Sequence, residues 1–265
     1  MPGDWKSGRL EVSGGYLGYY RTGTRGTPLV LSHGLTDNGL CWRRTAVVLA
    51  ERFDVVMLDA RGHGLSAPIA PGLPQDPALD IAQAIEQLGL DAPIVMGHSV
   101  GARATARYAS AFPDQVSRVI LEDPPLVPQT DGARIDQWRD GFREQVKAFR
   151  AMTIDQIVAM GRNRSPNWHE DEFADWAIAK QQVDPDVTPF AGEPWQVYMA
   201  RISAPTLLIM GEPGFGGLIT PPLAQEAQAL NPRISTVQIK AAGHNIRREN
   251  FPDYLAAVQA FLRKP

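Results

Sequence analysis

Pro93-Ile94-Val95-Met96-Gly97-His98-Ser99-Val100-Gly101 is the stretch that decides the fold of this chain. Pro93 to Met96 is a short, bounded apolar run, which reads as a buried strand. Gly101 to Phe112 reads as the helix that follows it. Between them stands Gly97-x-Ser99-x-Gly101. A strand that turns sharply into a helix needs small residues on both sides of the corner. The serine is left exposed on a strained turn at a helix N-terminus, where developing negative charge is favoured. Ser99 is therefore the candidate nucleophile. The plainer reading is a tight crossover in some other α/β protein.

Working outward, other short apolar runs alternate with helical patterns. This argues for a mostly parallel sheet with helices on both faces. Gly15 to Arg21 reads as a strand of a hairpin. Pro28–Ser32 and Val55–Leu58 are buried strands, with a helix over Leu40–Leu49 between them. Asp76-Pro77 opens a helix, since aspartate caps and proline suits the first position. Val116–Leu121 leads to a strand stopped at Glu122-Asp123-Pro124-Pro125. Pro205–Met210 and Thr236–Ile239 are the last strands. Thr220-Pro221 starts a helix, and Phe251, Tyr254, Leu255, Val258, Phe261 and Leu262 form the core stripe of a terminal one.

The rhythm breaks from about residue 126 to 202, where aromatics are dense (Phe142, Phe149, Phe173 and Phe190 among them). This span is expected to be a helical cap inserted in a core made of residues 1–125 and 203–265.

Composition narrows the class. The 265 residues are 44% hydrophobic and 21% charged, with a net charge of -3. A globular domain with a real core and no nucleic-acid partner is expected. The first ten residues hold no apolar run, and no stretch is long enough to span a bilayer, so no leader, no membrane and a cytoplasmic location are expected. The single cysteine, Cys41, reads as packing.

A serine hydroxyl needs a neutral imidazole beside it. Of the five histidines, His98 is adjacent to Ser99 and should point elsewhere. His33 and His63 lie among small residues at strand ends and suit loop ordering, although His33 could line the pocket. His169 lies in an acidic, solvated stretch that would not enclose a metal. His244 remains, on a loop after the last strand, and is the candidate base.

With these residues in view, the chain resembles the α/β-hydrolase superfamily over nearly its whole length. The resemblance rests on His33-Gly34, on Asp59-x-Arg61-Gly62-His63-Gly64-x-Ser66, on the Ser99 turn and on Gly243-His244, in that order. It implies a capped serine hydrolase, esterase- or lactonase-like, on a mostly parallel eight-stranded sheet. It implies an oxyanion hole from the backbone amides of Leu35 and Val100, and a structural role for Arg61 to Ser66.

The acid departs from the family pattern. The usual aspartate position, three residues beyond Gly211, is Gly214. Asp123 is the favoured substitute, because some members carry the acid after the strand preceding the cap. Glu212 is the alternative. Glu122 is a third candidate, turned away by strand alternation.

Such a Ser-His-Asp group forms and hydrolyses an acyl-enzyme without metal or organic cofactor. A pocket between sheet and cap would draw on Asp37, Asn38 and Trp42, and on Trp138, Trp168, Trp176, Trp195 and Tyr198. Most of these aromatics could equally pack the cap onto the core. No Lys/Arg cluster is visible in the sequence, so the expected substrate is a small neutral ester or lactone with an apolar part. The alternatives are a C–C bond hydrolase, amidase, thioesterase or other cofactor-free reaction, or a slow-turnover ligand receptor. Dehalogenase and epoxide hydrolase chemistry would need an aspartate where Ser99 stands. Oligomeric state is not legible.

Overall fold

Alternation within the apolar runs sends successive side chains to opposite faces of one sheet. The computed structural model describes residues 5–23, 26–70, 72, 75–127, 132–188 and 193–263. Phe190 of the aromatic-rich span lies outside them. Eight strands, β1 (Lys6–Val12), β2 (Gly15–Arg21), β3 (Thr27–Ser32), β4 (Phe53–Leu58), β5 (Ile94–His98), β6 (Arg118–Glu122), β7 (Thr206–Met210) and β8 (Ile234–Gln238), lie in the order β1-β2-β4-β3-β5-β6-β7-β8. β1 and β2 form the hairpin and β2 meets β4 antiparallel. The remaining pairs are parallel.

Ten helices accompany the strands among the described residues. They are α1 (Arg43–Leu49), α2 (Pro77–Gln87), α3 (Val100–Ala111), α4 (Gly132–Ala151), α5 (Ile154–Arg164), α6 (Asp171–Gln181), α7 (Trp195–Arg201), α8 (Pro221–Leu230), α9 (Ile246–Glu249) and α10 (Phe251–Leu262). Val30, Val56 and Val95 face α2, α3, α7 and α8. Leu29, Leu31, Val55, Met57 and Met96 face the side of α1 and α10. Both faces are covered, so the central strands read as continuous apolar runs. Each fully buried aliphatic side chain contributes about 1.5–3 kcal/mol.

Local signals hold where they are strong. Asp76 accepts from the Ala78 amide and Thr220 from the Leu223 amide, capping α2 and α8. Two elements differ from the sequence reading. Leu40 to Leu49 divides into a 3-10 turn, Gly39–Trp42, running into α1. The last strand begins at Ile234 because Thr206 of β7 sets its register there. Ile239 still donates to the Met210 carbonyl at 2.9 Å, but the chain then turns through Ala241 at φ 52°.

α4 to α7 form the insertion between β6 and β7. α4, α5 and α6 stand over the carboxyl ends of the central strands, packed through Phe142 and Val146 and through Phe149, Ile157 and Ala177. Asp175 of α6 grips Arg43 with both oxygens, at 2.5 and 2.9 Å. α7 does something else. Its Trp195, Tyr198 and Met199 join the core cluster that includes Ala102 and Ala106 of α3. No described helix is long and apolar enough to cross a membrane.

Candidate active site

The turn after β5 puts Ser99 at φ 55°, ψ -125°. A non-glycine residue there is strained by on the order of 1–3 kcal/mol. The surroundings enforce it. A Cβ on Gly97 would collide with the Gly101 backbone, and one on Gly101 with the Ser32 and His33 carbonyls. β3, β5 and α3 therefore approach closely enough to hold the corner. The Ser99 amide donates to the Glu122 carbonyl at 2.9 Å, and α3 begins one residue later.

His244 reaches this serine from the loop between β8 and α9. Its Nε2 lies 3.0 Å from Ser99 Oγ and its Nδ1 2.7 Å from Asp123 Oδ2. Asp123 follows β6 at φ 44° and is fully buried. It also accepts from the Leu218 amide at 2.8 Å and the Ile219 amide at 3.1 Å. An ionised carboxylate can only accept, so Nδ1 carries the proton and Nε2 presents its lone pair to the hydroxyl. His98 donates from Nε2 to the His244 carbonyl at 2.9 Å, which holds the loop.

The other two carboxylates do not meet His244. Glu122 points to the opposite side of β6, where it accepts from the Arg247 amide at 2.9 Å and faces its guanidinium at 3.3 Å. Burial pushes its carboxyl up, against the pull of Arg247. Glu212 accepts from the Ala241 amide at 3.2 Å. Gly214 lies on an exposed 3-10 turn, Pro213–Phe215, and has no side chain to offer.

Three of the remaining histidines are buried. The Ala60 amide donates to His33 Nε2 at 2.9 Å, so Nδ1 bears the proton and donates to the Gly34 carbonyl at 2.8 Å. Burial, then the neighbouring His63, pushes His33 down to about 3. His63 sits between the Leu35 and Arg61 carbonyls. His169 is exposed beside Asp171. Cys41 is buried, and burial pushes its thiol up to about 12.

A cavity of about 510 Å³ opens above Ser99, between the strand ends and the cap. Leu35 and Val100 line it together with Ser99 and His244. Val100 is the first residue of α3, so its amide has no acceptor within the helix. Trp138, Trp168, Trp176 and Phe149 supply aromatic walls.

Four expected lining residues lie elsewhere. Trp42 is fully buried on the α1/α10 side, with the Arg247 guanidinium 4.4 Å from its ring centroid. Asn38 is buried and donates to Gln182 at 2.9 Å. Trp195 and Tyr198 belong to the α3/α7 packing, because α7 has left the cap for the sheet. Asp37 does line the cavity, but its carboxylate is consumed by ion pairs.

The sequence showed no cationic cluster, yet Arg103, Arg164, Lys180 and Arg248 converge on this cavity, with Asp37 as its one carboxylate among the described residues. They come from α3, α5, α6 and α9. Two were traceable: Arg103 and Arg248 each follow a site residue, Ser99 or His244, by four positions, which is one helical turn. Nothing local marks Arg164 or Lys180. Burial works against the charge on Asp37, but Arg248, Lys180 and Arg247 hold its carboxyl well below the ordinary range. Arg248 also meets Glu172 of α6 at 3.3 Å, tying the histidine loop to the cap. Arg164 is exposed at the cavity and has no carboxylate partner among the described residues.

A mostly parallel sheet, a helical insertion over its carboxyl ends and a serine–histidine–carboxylate line beneath that insertion define a hydrolase-type α/β protein. Residues 29–258 match the model of the Alpha/beta hydrolase family, and the chain belongs to that family. It is 29% identical, over 97% of both chains, to the N-formylmaleamate deformylase of Pseudomonas putida. It is 27% identical to the 2-(acetamidomethylene)succinate hydrolase of Mesorhizobium japonicum, over 89% of this chain and 88% of that one. The crystal structure of an N-formylmaleamic acid deformylase from Pseudomonas putida superimposes with a TM-score of 0.78 at 25% identity, covering 96% of this chain and all of the other.

Proposed function

We propose that this protein is a serine hydrolase that cleaves the carbonyl–nitrogen bond of a small N-acyl compound bearing a carboxylate. Ser99 is the nucleophile, His244 the general base and then acid, and Asp123 the carboxylate that orients His244. The observation that carries the reading is the Ser99–His244–Asp123 line, at 3.0 and 2.7 Å, opening into a cavity whose carboxylate among the described residues, Asp37, is already neutralised by cations.

His244 Nε2 takes the proton as Ser99 Oγ attacks the acyl carbonyl. The oxyanion rests on the Leu35 and Val100 amides, which contribute most as charge develops. The imidazolium then protonates the departing nitrogen, an amide leaving group that cannot depart as an anion. Water activated by the same imidazole releases the acyl group from Ser99. The names of both relatives describe a short acyl group on nitrogen together with a carboxylate, which supports an amide over the neutral ester or lactone expected from the sequence. The aromatic walls suit the unsaturated or apolar body of such a molecule.

The test is a matched substrate set: N-formyl and N-acetyl amides of small dicarboxylates against p-nitrophenyl esters, lactones and a C–C cleavage substrate. The amides should give the highest kcat/KM. An ester or lactone ahead by tenfold or more would return the assignment to ester hydrolysis. A fluorophosphonate should label wild-type protein and not Ser99→Ala. Unlabelled wild type would remove the hydrolase reading altogether.

A further inference from the structure

The oxyanion loop is a four-residue turn. The Asp37 amide donates to the Gly34 carbonyl at 3.0 Å, and His33 Nδ1 donates to the same oxygen at 2.8 Å. In a planar trans peptide the N–H points opposite to the C=O. Two anchors on the Gly34 carbonyl therefore aim the Leu35 N–H away from them. The far side of the turn is held from the cap. Lys180 Nζ donates to Thr36 O and to Thr36 Oγ1, each at 2.8 Å, and lies 3.3 Å from Asp37 Oδ1.

We propose that Lys180 of α6 is a positioning residue for the oxyanion loop, so that the hole is assembled by core and cap together. The inference rests on the reading that the Leu35 amide receives the oxyanion. Lys180 lines the cavity, but its ammonium has three protons and three acceptors, all on the Thr36–Asp37 turn. No donor is left for a substrate. Its side chain is 5% exposed, and a buried ammonium is tolerated only when fully hydrogen-bonded. The Trp176 ring, with its centroid 4.8 Å from Nζ, fixes its approach. Asp37 extends the linkage, because it also pairs with Arg247 at 2.9 Å and Arg248 at 3.0 Å, both on α9 just past His244. One carboxylate thus ties the oxyanion turn, the cap lysine and the histidine loop into a single geometry.

Lys180→Met keeps the apolar stem and removes the three donors, while Arg247 and Arg248 still neutralise Asp37. Thr36→Val removes one acceptor and keeps the shape. Both are to be compared with wild type on p-nitrophenyl acetate, on mono-p-nitrophenyl succinate and in fluorophosphonate labelling. Misplacing one oxyanion donor should lower kcat for both esters by about 10- to 100-fold in Lys180→Met, with KM within about threefold. The labelling rate should fall in parallel while the final labelled fraction stays at the wild-type level. Thr36→Val should move in the same direction by less. A KM increase confined to the succinate ester would overturn the proposal in favour of direct substrate binding. A reduced labelled fraction with unchanged rate per labelled site would leave Lys180 a purely structural residue. Wild type that does not label would remove the nucleophile reading itself, a failure distinct from wild type and Lys180→Met labelling at equal rates.

Discussion

Asp123 Oδ2 lies 2.7 Å from His244 Nδ1, and Asp123 stands at the end of β6 rather than after β7. Its φ of 44° turns the carboxylate out of the strand direction, and the Leu218 and Ile219 amides hold both its oxygens. Asp123→Asn should therefore preserve the shape and lose the tautomer. The expected fall in kcat is about 10²- to 10⁴-fold, with KM little changed. Glu212→Gln, which only loosens the turn at Ala241, should stay within roughly threefold of wild type. Steady-state kinetics on both variants decides between them, and the opposite ranking would transfer the acid role to Glu212.

The strain at Ser99 predicts a stability gain from one particular replacement. Glycine adopts φ 55° without the steric penalty, whereas alanine keeps it. Ser99→Gly should be more stable than Ser99→Ala by about 1 kcal/mol, which is about 2–4 °C in Tm for a domain of this size. Calorimetry of the two inactive variants side by side measures the difference. Equal melting temperatures would mean that the corner is not strained.

Acid should destabilise this fold through its buried histidines. His33 is held down to about 3, whereas the unfolded chain binds that proton near 6.5. Between those values the unfolded state carries more protons, so stability is present above about 6.5 and is lost as pH falls. For His33 alone the loss between pH 7 and pH 5 is about 2 kcal/mol. His63 and His98 are lowered by burial and act in the same direction. Asp59, which burial pushes up to about 6, works the other way as it takes up a proton, and Glu122 and Asp80, also raised by burial, act with it, against the three buried histidines. Urea unfolding midpoints at pH 7 and pH 5 should fall accordingly. His33→Asn, which can still donate to Gly34, should remove roughly one proton from that dependence.

Arg164 has no carboxylate partner among the described residues and faces the cavity beside Trp168 and Trp176. If the substrate carries a carboxylate, Arg164 is an exposed cation that can meet it, whereas Arg248 and Lys180 are committed to Asp37. Arg164→Gln should raise KM for mono-p-nitrophenyl succinate by about tenfold, the size of one exposed charged contact. KM for p-nitrophenyl acetate should not move. Equal shifts for both esters would deny Arg164 a role in recognising charge.

The parts of the site that were legible in the sequence are those set by local physics. The β5–Ser99–α3 corner depends on a short apolar run, two glycines and a following helix, all within one stretch of chain. His244 followed by elimination and from its place after the last strand. Asp123 was readable as an exception, because Gly214 left the usual position empty and a carboxylate ended the strand before the cap. Which carboxylate faces the imidazole is a tertiary matter: neighbouring strands must be in register before Glu122 can turn toward Arg247 and Asp123 toward His244.

The lining of the cavity was decided almost wholly by the fold. Trp42 is only seven positions from Leu35, but the 3-10 turn carries it into the core on the α1/α10 side of the sheet, against Arg247. Trp195 and Tyr198 fall inside the aromatic-rich insertion, but α7 packs them against α3. Arg103, Arg164, Lys180 and Arg248 are scattered over four helices, and charge acts through space rather than along the chain, so no window of sequence could show them together. The sequence by itself determined the Ser99 corner, the candidate base His244 and the sheet that carries them, since backbone sterics and hydrophobic periodicity are local. Only the tertiary structure decided the acid's orientation, the charge of the cavity and the cap's hold on the oxyanion turn, since each depends on groups that folding alone brings within a few ångströms.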